Sequence, residues 1–446
     1  MRLYSSRSRQ KEELPAPRQP DGTPTKIGMY FCGPTVYQRI HVGNARPFVI
    51  SMWLRSWLQL QGYEVTLVEN ITDINDKIYD AAPGHSAELA ADASRWYVED
   101  TDLLGLGRPD FEPKASETVP EILALIEELV SDGLAYEAGG DVYFRVARFP
   151  DYGRLSGQRP DEVHDQEPNP LKEDPRDFAL WKATKEGEDT SWASPWGRGR
   201  PGWHIECSAM AEKYLGRSFE IHGGGLDLIF PHHENEVAQS RGAGREFARI
   251  WMHNGLLRFT GEKMSKSLGN IASLRDVVQE WGPATLLVFF MSAHWRKPID
   301  FDDRALQAAE QQVRTFENRL NWDFGFRAPG PPWEDFTAVV NDDFNTPEAL
   351  AILHEWVNTG QVELLERGLI DVFGIQLKDV IEPPERVIEL AEQRKLARAS
   401  RDFERADELR DDLAELNWEV RDVADEPGYQ LVPIRRSDPR FHDAHA

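Results

Sequence analysis

Four residues far apart in the chain carry donor atoms that suit a soft metal ion. Cys32 and Cys207 are the only two cysteines in 446 residues. His232 and Glu236 lie four apart in Pro231-His232-His233-Glu234-Asn235-Glu236. On a helix that spacing puts both side chains on one face. If the elements carrying these residues converge, two thiolates, an imidazole and a carboxylate form a set suited to Zn²⁺. Spacing alone leaves a second reading open. Two buried cysteines can act as small hydrophobes, beside an ordinary exposed His/Glu pair.

Three further stretches hold the residue types that handle phosphate. In His41-Val42-Gly43-Asn44 the glycine lets backbone approach a ligand and the polar side chains can donate to phosphate. Its plain alternative is a helix N-cap at Asn44. Lys263-Met264-Ser265-Lys266-Ser267 puts two lysines and two hydroxyls in five residues. Such a loop could wrap a triphosphate and stabilise charge developing on departing pyrophosphate, or it could be a solvated basic loop. His222-Gly223-Gly224-Gly225-Leu226-Asp227 combines three glycines with an acid. There the chain could approach a flat or charged ligand closely, with Asp227 accepting from a ribose hydroxyl. A flexible turn explains the same residues.

The elements that must position these groups follow from periodicity. Ile27 to Cys32 reads as a short buried strand, Asn44 to Gln61 as an apolar-periodic helix, and Val65 to Asn70 as a second strand. Strand, helix and strand over some forty residues imply a βαβ unit with parallel pairing. The loop between its first strand and helix is where such sheets bind phosphate. Residues 112–200 break the rhythm. Gly139-Gly140 between two apolar runs predicts a hairpin, and Pro168, Pro170 and Pro175 mark a loop-rich stretch. We read this as an insertion between two halves of a sheet domain. The second half resumes with Ile205–Leu215 as helix, Phe219–His222 as strand, a helix from about His232, and Ile250–His253 as strand.

From Asp303 the pattern is helical. Helices are expected over about 336–371, with a break near Thr346-Pro347, then over 384–397 and 401–416. The expected fold is α/β. A Rossmann-like parallel sheet spans 1–111 and 201–302, interrupted by the 112–200 insertion. A helical bundle follows over 303–383, and a C-terminal unit over 384–446.

Composition bounds the function. No apolar run approaches the ~20 residues needed to cross a bilayer, and the N-terminal segment has basic residues but no apolar stretch typical of a secretory signal. Two cysteines 175 positions apart make a disulfide framework improbable and fit a reducing cytosol. The net charge of −25 counts against non-specific nucleic-acid affinity. It leaves a specific RNA partner open. Residues 386–410 carry seven basic and six acidic side chains, a balance of +1 in this acidic chain. Arg435, Arg436 and Arg440 form another small basic cluster.

Taken jointly, these segments resemble cysteinyl-tRNA synthetases of class I. The resemblance runs from Leu3-Tyr4 at least to Phe301. It is closest over Cys32–Pro47, Asn70–Lys77, Pro201–Met210, His222–Ser240 and Lys263–Asn270. It implies ATP-dependent activation of L-cysteine and transfer to the 3′ end of tRNA(Cys). It also implies one zinc per chain, held at positions matching Cys32, Cys207, His232 and Glu236, and magnesium accompanying ATP. His41 and Asn44 fall on the family's first nucleotide motif, with Asn44 where the generic class I motif has a second histidine. Lys263 and Lys266 fall on its second motif, which matches at every position. Thr72, Trp203 and His204 match positions around the amino acid, and Gly225 and Asp227 fall by the nucleotide. The C-terminal unit would bind the anticodon region. Asn417 stands where the family more often has glycine. The protein is expected to be a cytoplasmic monomer with no editing domain. Two rivals share part of this pattern. One is a zinc ligase joining cysteine to an amino-sugar inositol, which usually lacks the fourth ligand and the C-terminal region. The other is a non-catalytic RNA-binding relative.

Overall fold

A computed structural model describes residues 1–159, 168–259, 272–321, 327–377, 383–422 and 428–433. Lys26–Phe31 (β1), Val42–Leu60 (α1) and Glu64–Glu69 (β2) form the expected βαβ unit. The two strands pair in parallel, Lys26 opposite Glu64 through Phe31 opposite Glu69. Ser218–Gly225 (β3) and Phe247–Asn254 (β4) add two more parallel strands, and the sheet runs β4-β3-β1-β2. Most positions of the four strands are buried, as expected where helices cover a parallel sheet. From β1 the chain moves toward β2, and from β3 it moves toward β4. The strand order therefore reverses between the C-terminal ends of β1 and β3, where such sheets open a crevice for ligands.

Helix α1 is apolar on nearly every side, with Phe48, Val49, Met52, Trp53, Leu54 and Trp57 buried. That pattern marks a helix enclosed by protein. Trp53 Nε1 donates to the Phe373 carbonyl at 2.6 Å, and Trp57 Nε1 donates to Asn341 Oδ1 at 3.0 Å. Both bonds tie the parallel-sheet unit to the helices beyond residue 303. Among those helices, one ends at Asn341 and the next opens at Thr346 with Pro347 in its first turn, which explains the expected break.

The insertion holds more regular structure than its prolines indicate. The Gly139-Gly140 hairpin forms, joining Ala135–Ala138 to Asp141–Phe144. It is extended into a five-stranded antiparallel sheet by Phe178–Ala183, Gly197–Pro201 and Trp192–Ser194. At the C-terminal end, Glu385–Ala399 and Phe403–Glu415 pack against each other. An antiparallel pair, Trp418–Asp422 with Tyr429–Pro433, follows them. Leu390, Leu409, Leu413, Trp418 and Leu431 give this unit a small core of its own.

Candidate active site

The reversal point gathers the four expected donors. Cys32 follows β1, and its backbone N–H donates to the Gly223 carbonyl of β3 at 2.9 Å. Gly33 has no room for a side chain, because a Cβ there would sit 1.9 Å from the Asn70 carbonyl oxygen. Cys207 lies on Ile205–Leu215 (α2), and Glu236 on Glu234–Gly242 (α3). His232 sits in the turn Ile229–His233 just before α3, where Phe230 has extended backbone angles. The helix expected from about His232 thus starts two residues later, yet the pair still meets: His232 Nε2 is 3.2 Å from Glu236 Oε1. Cys32 Sγ is 3.5 Å from both His232 Nε2 and Glu236 Oε1. One ligand atom from each of Cys32, Cys207, His232 and Glu236 lies within 4.8 Å of every other.

All four residues are buried, and Glu236 is fully so. Burial pushes the Cys32 thiol well above the ordinary thiol range, and Cys207 and Glu236 add to the shift. Burial opposes ionisation of Cys207 as well. Hydrogen bonding from Cys32 and the cationic tendency of His232 outweigh it, and this thiol is drawn down to about 6. Cys207 is therefore the more acidic of the two. Glu236 Oε2 is buried and makes no hydrogen bond among the described residues, with His222 Nε2 3.3 Å away. A fully buried carboxylate is costly unless donors or a cation meet it. Two sulfurs, one imidazole nitrogen and a carboxylate oxygen fit a zinc ion.

A second set overlaps the first: Cys32, His222, His233 and Glu236 also bring their donors within 4.8 Å. His222 and His233 were not singled out as ligands from the sequence. They are the ring neighbours of Trp251 and of each other, and His233 Nδ1 shares a hydrogen with His253 Nε2 at 2.7 Å. The first set is the better metal site for a ligand-binding role. Its Cys32 and His232 both line the adjoining cleft, whereas only Cys32 of the second set does.

That cleft has a volume of about 440 Å³. His41, Asn44, Trp203, Gly225 and Asp227 line it with Cys32 and His232. His41, rather than Asn44, caps α1: its Nδ1 accepts from Gly43 N–H at 3.1 Å. An Nδ1 that accepts leaves the ring proton on Nε2, which becomes a donor. Burial draws the His41 pKa down against the opposing charge of Asp227, so the ring favours its neutral form. Asn44 lies in the first turn of α1, where free backbone N–H groups favour anions. Gly223 to Gly225 continue β3 and form no flexible turn. A Cβ at Gly223 would meet the Phe31 ring at 2.3 Å, so here glycine serves strand packing.

Two expected residues stand back from the cleft. Thr72 is buried under the Pro34–Val36 segment, its N–H donating to the Pro34 carbonyl at 3.3 Å. His204 sits behind His232, with 2.9 Å between their Nδ1 atoms. Burial holds His204 well below the usual histidine range, with His232 adding to the shift. Lys263 and Lys266 lie outside the described residues. Sequence reasoning passed over Arg39 and Lys77, two cations that line the cleft. Lys77 stacks over Tyr37 at 5.6 Å, inside a stretch already noted for resemblance.

Comparison with known proteins fits this geometry. A profile described as "tRNA synthetases class I (C) catalytic domain" matches residues 19–311, and a DALR domain profile matches 335–364. A protein named Cysteine--tRNA ligase from Anoxybacillus flavithermus is 41% identical over 460 aligned positions, covering 95% of this chain and 98% of its own. One of the same name from Geobacillus thermodenitrificans is also 41% identical, covering 95% and 97%. The chain belongs to the cysteine–tRNA ligase family. Solved class I synthetases outside this ligase family share its fold. A Mycobacterium tuberculosis methionyl-tRNA synthetase in complex with methionyl-adenylate superposes with a TM-score of 0.56 at 15% identity. It covers 79% of this chain and 88% of its own. A putative arginyl-tRNA synthetase from Campylobacter jejuni gives 0.56 at 13% identity, covering 80% and 94%. Among the described residues of this ligase-family chain, no helix is long and apolar enough to cross a membrane.

Proposed function

We propose that the protein activates L-cysteine with ATP and transfers the cysteinyl group to the 3′ end of tRNA(Cys). One observation carries the site-level reading. A thiol-rich donor set opens onto a nucleotide-sized cleft at the point where the parallel sheet reverses its strand order. The relatives' names and their coverage support the same activity.

In the first step the cysteine carboxylate attacks the α-phosphorus of ATP and pyrophosphate leaves. In the second, the 2′-hydroxyl oxygen of the terminal adenosine attacks the acyl carbon and AMP leaves. Little covalent work falls to the protein, so placement and charge stabilisation carry the rate. His41 Nε2–H and the first turn of α1 around Asn44 donate to the phosphates. Lys263 and Lys266 strengthen their hold as charge develops on the leaving pyrophosphate, and magnesium accompanies ATP. Gly225 allows close approach of the nucleotide, and Asp227 accepts from its ribose. Trp203, 36% exposed, forms one wall for the amino acid. Thr72 supports the loop after Cys32, and His204 orients His232.

Cys32, Cys207, His232 and Glu236 would hold one zinc per chain, and that ion would supply a soft Lewis-acid contact preferring sulfur to oxygen. Serine differs from cysteine by one atom, and a plain pocket separates such near-isosteres by only ~1–3 kcal/mol. The donor set thus explains how cysteine is chosen without editing. The unit over 384–446 reads the anticodon region, and the protein works as a cytoplasmic monomer. The deciding experiment is amino-acid-dependent pyrophosphate exchange, run with cysteine and serine in parallel. Exchange is expected with cysteine alone, and Cys207→Ala is expected to lose both zinc and exchange. Wild-type protein that charges no tRNA and consumes an amino-sugar inositol would replace this reading with the rival ligase.

A further inference from the structure

The two nucleotide motifs are far apart in sequence, yet the described residues beside each are joined. Ala272 and Ser273, the first described residues after Lys263–Ser267, run antiparallel to the His41 segment. Val42 N–H donates to the Ala272 carbonyl at 3.1 Å, and Leu274 N–H donates to the Ile40 carbonyl at 2.9 Å. Two backbone bonds make a short pairing, and such pairs are marginal alone.

A third element braces it. Ser86–Asp102 ends with Glu99 and Asp100 facing both segments. Asp100 Oδ1 accepts from Arg39 Nη1 at 2.5 Å and from Arg275 Nε at 3.1 Å. Glu99 Oε2 accepts from Nη2 of the same two arginines, each at 3.3 Å. Arg39 stands two residues before His41 and lines the cleft. Arg275 stands two residues after Ser273. The Asp100 side chain is fully buried. Its second oxygen, Oδ2, makes no hydrogen bond among the described residues. The unpaired second oxygen carries a desolvation cost. Asp100 directs a single oxygen to two arginines from the two motif-bearing segments.

Building on the activity proposed above, we infer that Asp100 is a positioning residue for adenylate formation. It acts through Arg39 and Arg275 to hold the segment after Lys263–Ser267 in register with His41. It touches no substrate.

Asp100→Asn keeps the shape and removes the charge. Cysteine-dependent pyrophosphate exchange per titrated active site is expected to fall by up to about 100-fold, the cost of a misplacement of about 1 Å. KM for cysteine, zinc content and the thermal midpoint are expected to stay at wild-type values. Arg275→Lys, which keeps a cation beside the carboxylate, is expected to retain more of the rate than Arg275→Ala. Asp100→Asn exchanging at the wild-type rate per site would overturn the inference. So would a loss of rate that tracks loss of zinc and of the thermal midpoint, because Asp100 would then serve only the fold. Wild-type protein that exchanges no pyrophosphate with cysteine would instead remove the functional reading on which the inference rests.

Discussion

Replacing His204 with phenylalanine tests how the His232 nitrogen that faces Cys32 and Glu236 is aimed toward the proposed zinc. The His204 ring packs edge-on to Phe178, with centroids 5.9 Å apart, and lies 5.2 Å from Trp203. Phenylalanine keeps that packing. It removes the 2.9 Å hydrogen bond between the two Nδ1 atoms and leaves the buried His232 Nδ1 without a partner. An unsatisfied buried polar atom costs about 1–3 kcal/mol. At about 1.4 kcal/mol per tenfold, that is roughly 5- to 150-fold in binding. Loss of a hydrogen bond behind a metal-bound histidine weakens metal affinity by about 10- to 100-fold, which falls within that range. The expected result is zinc held about 30-fold less tightly, or about 2 kcal/mol, measured by competition with a colorimetric chelator at neutral pH. Cysteine-dependent exchange should return when zinc is supplied in excess. A folded His204→Phe protein holding zinc within about twofold of wild type would refute the reasoning, since the bond would then carry none of the affinity expected of it.

Two further predictions concern stability. Glu69 is buried at the end of β2 and accepts from the Tyr97 hydroxyl; burial pushes its carboxyl up to about 7. A raised folded-state value means the folded chain holds the proton longer than the unfolded chain. Stability is therefore lost as pH rises from about 4.5 to about 7, by about 3 kcal/mol, and stays lost above that. Glu69→Gln should flatten that fall, matching wild type near pH 4 and exceeding it at pH 8 in urea titrations. Equal stabilities at both pH values would contradict the shift. Asn417 has φ of +64°, a left-handed conformation that asparagine adopts more readily than most residues and glycine more readily still. Asn417→Ala should destabilise the C-terminal unit by about 1 kcal/mol while Asn417→Gly is neutral or mildly stabilising, read from thermal melts. Identical melts for the two variants would rule this out.

Local patterns were legible and long-range pairings were not. The βαβ unit was readable from one apolar run of each period, and the Gly139-Gly140 hairpin from turn chemistry between two short strands. The remaining strands of the insertion were missed because Val142 pairs with Trp181 across a proline-rich loop, and nothing local encodes that partner. The N-terminal hairpin, Arg2–Ser5 with Gln10–Glu13, was missed for another reason. Its second strand, Gln-Lys-Glu-Glu, has no apolar residue to show alternation. At the site, Cys32, Cys207, His232 and Glu236 could be nominated because cysteine is scarce and a spacing of four is informative. The convergence of His222 and His233 on the same point was invisible. His222 looks like a strand residue, and its approach to Glu236 depends on how β3 lies beside α3. The joining of Arg39 and Arg275 through Asp100 is of the same kind, built from three elements with no shared local signal.

The four clustered donors come from positions 32, 207, 232 and 236. A chain still being synthesised can present at most two thiols and one imidazole of this set before its residue 236 emerges. The complete donor set thus exists only after just over half of the 446-residue chain has been made. If the set holds the proposed zinc, fragments released before residue 236 would compete poorly for it, and loading would report a chain made at least that far.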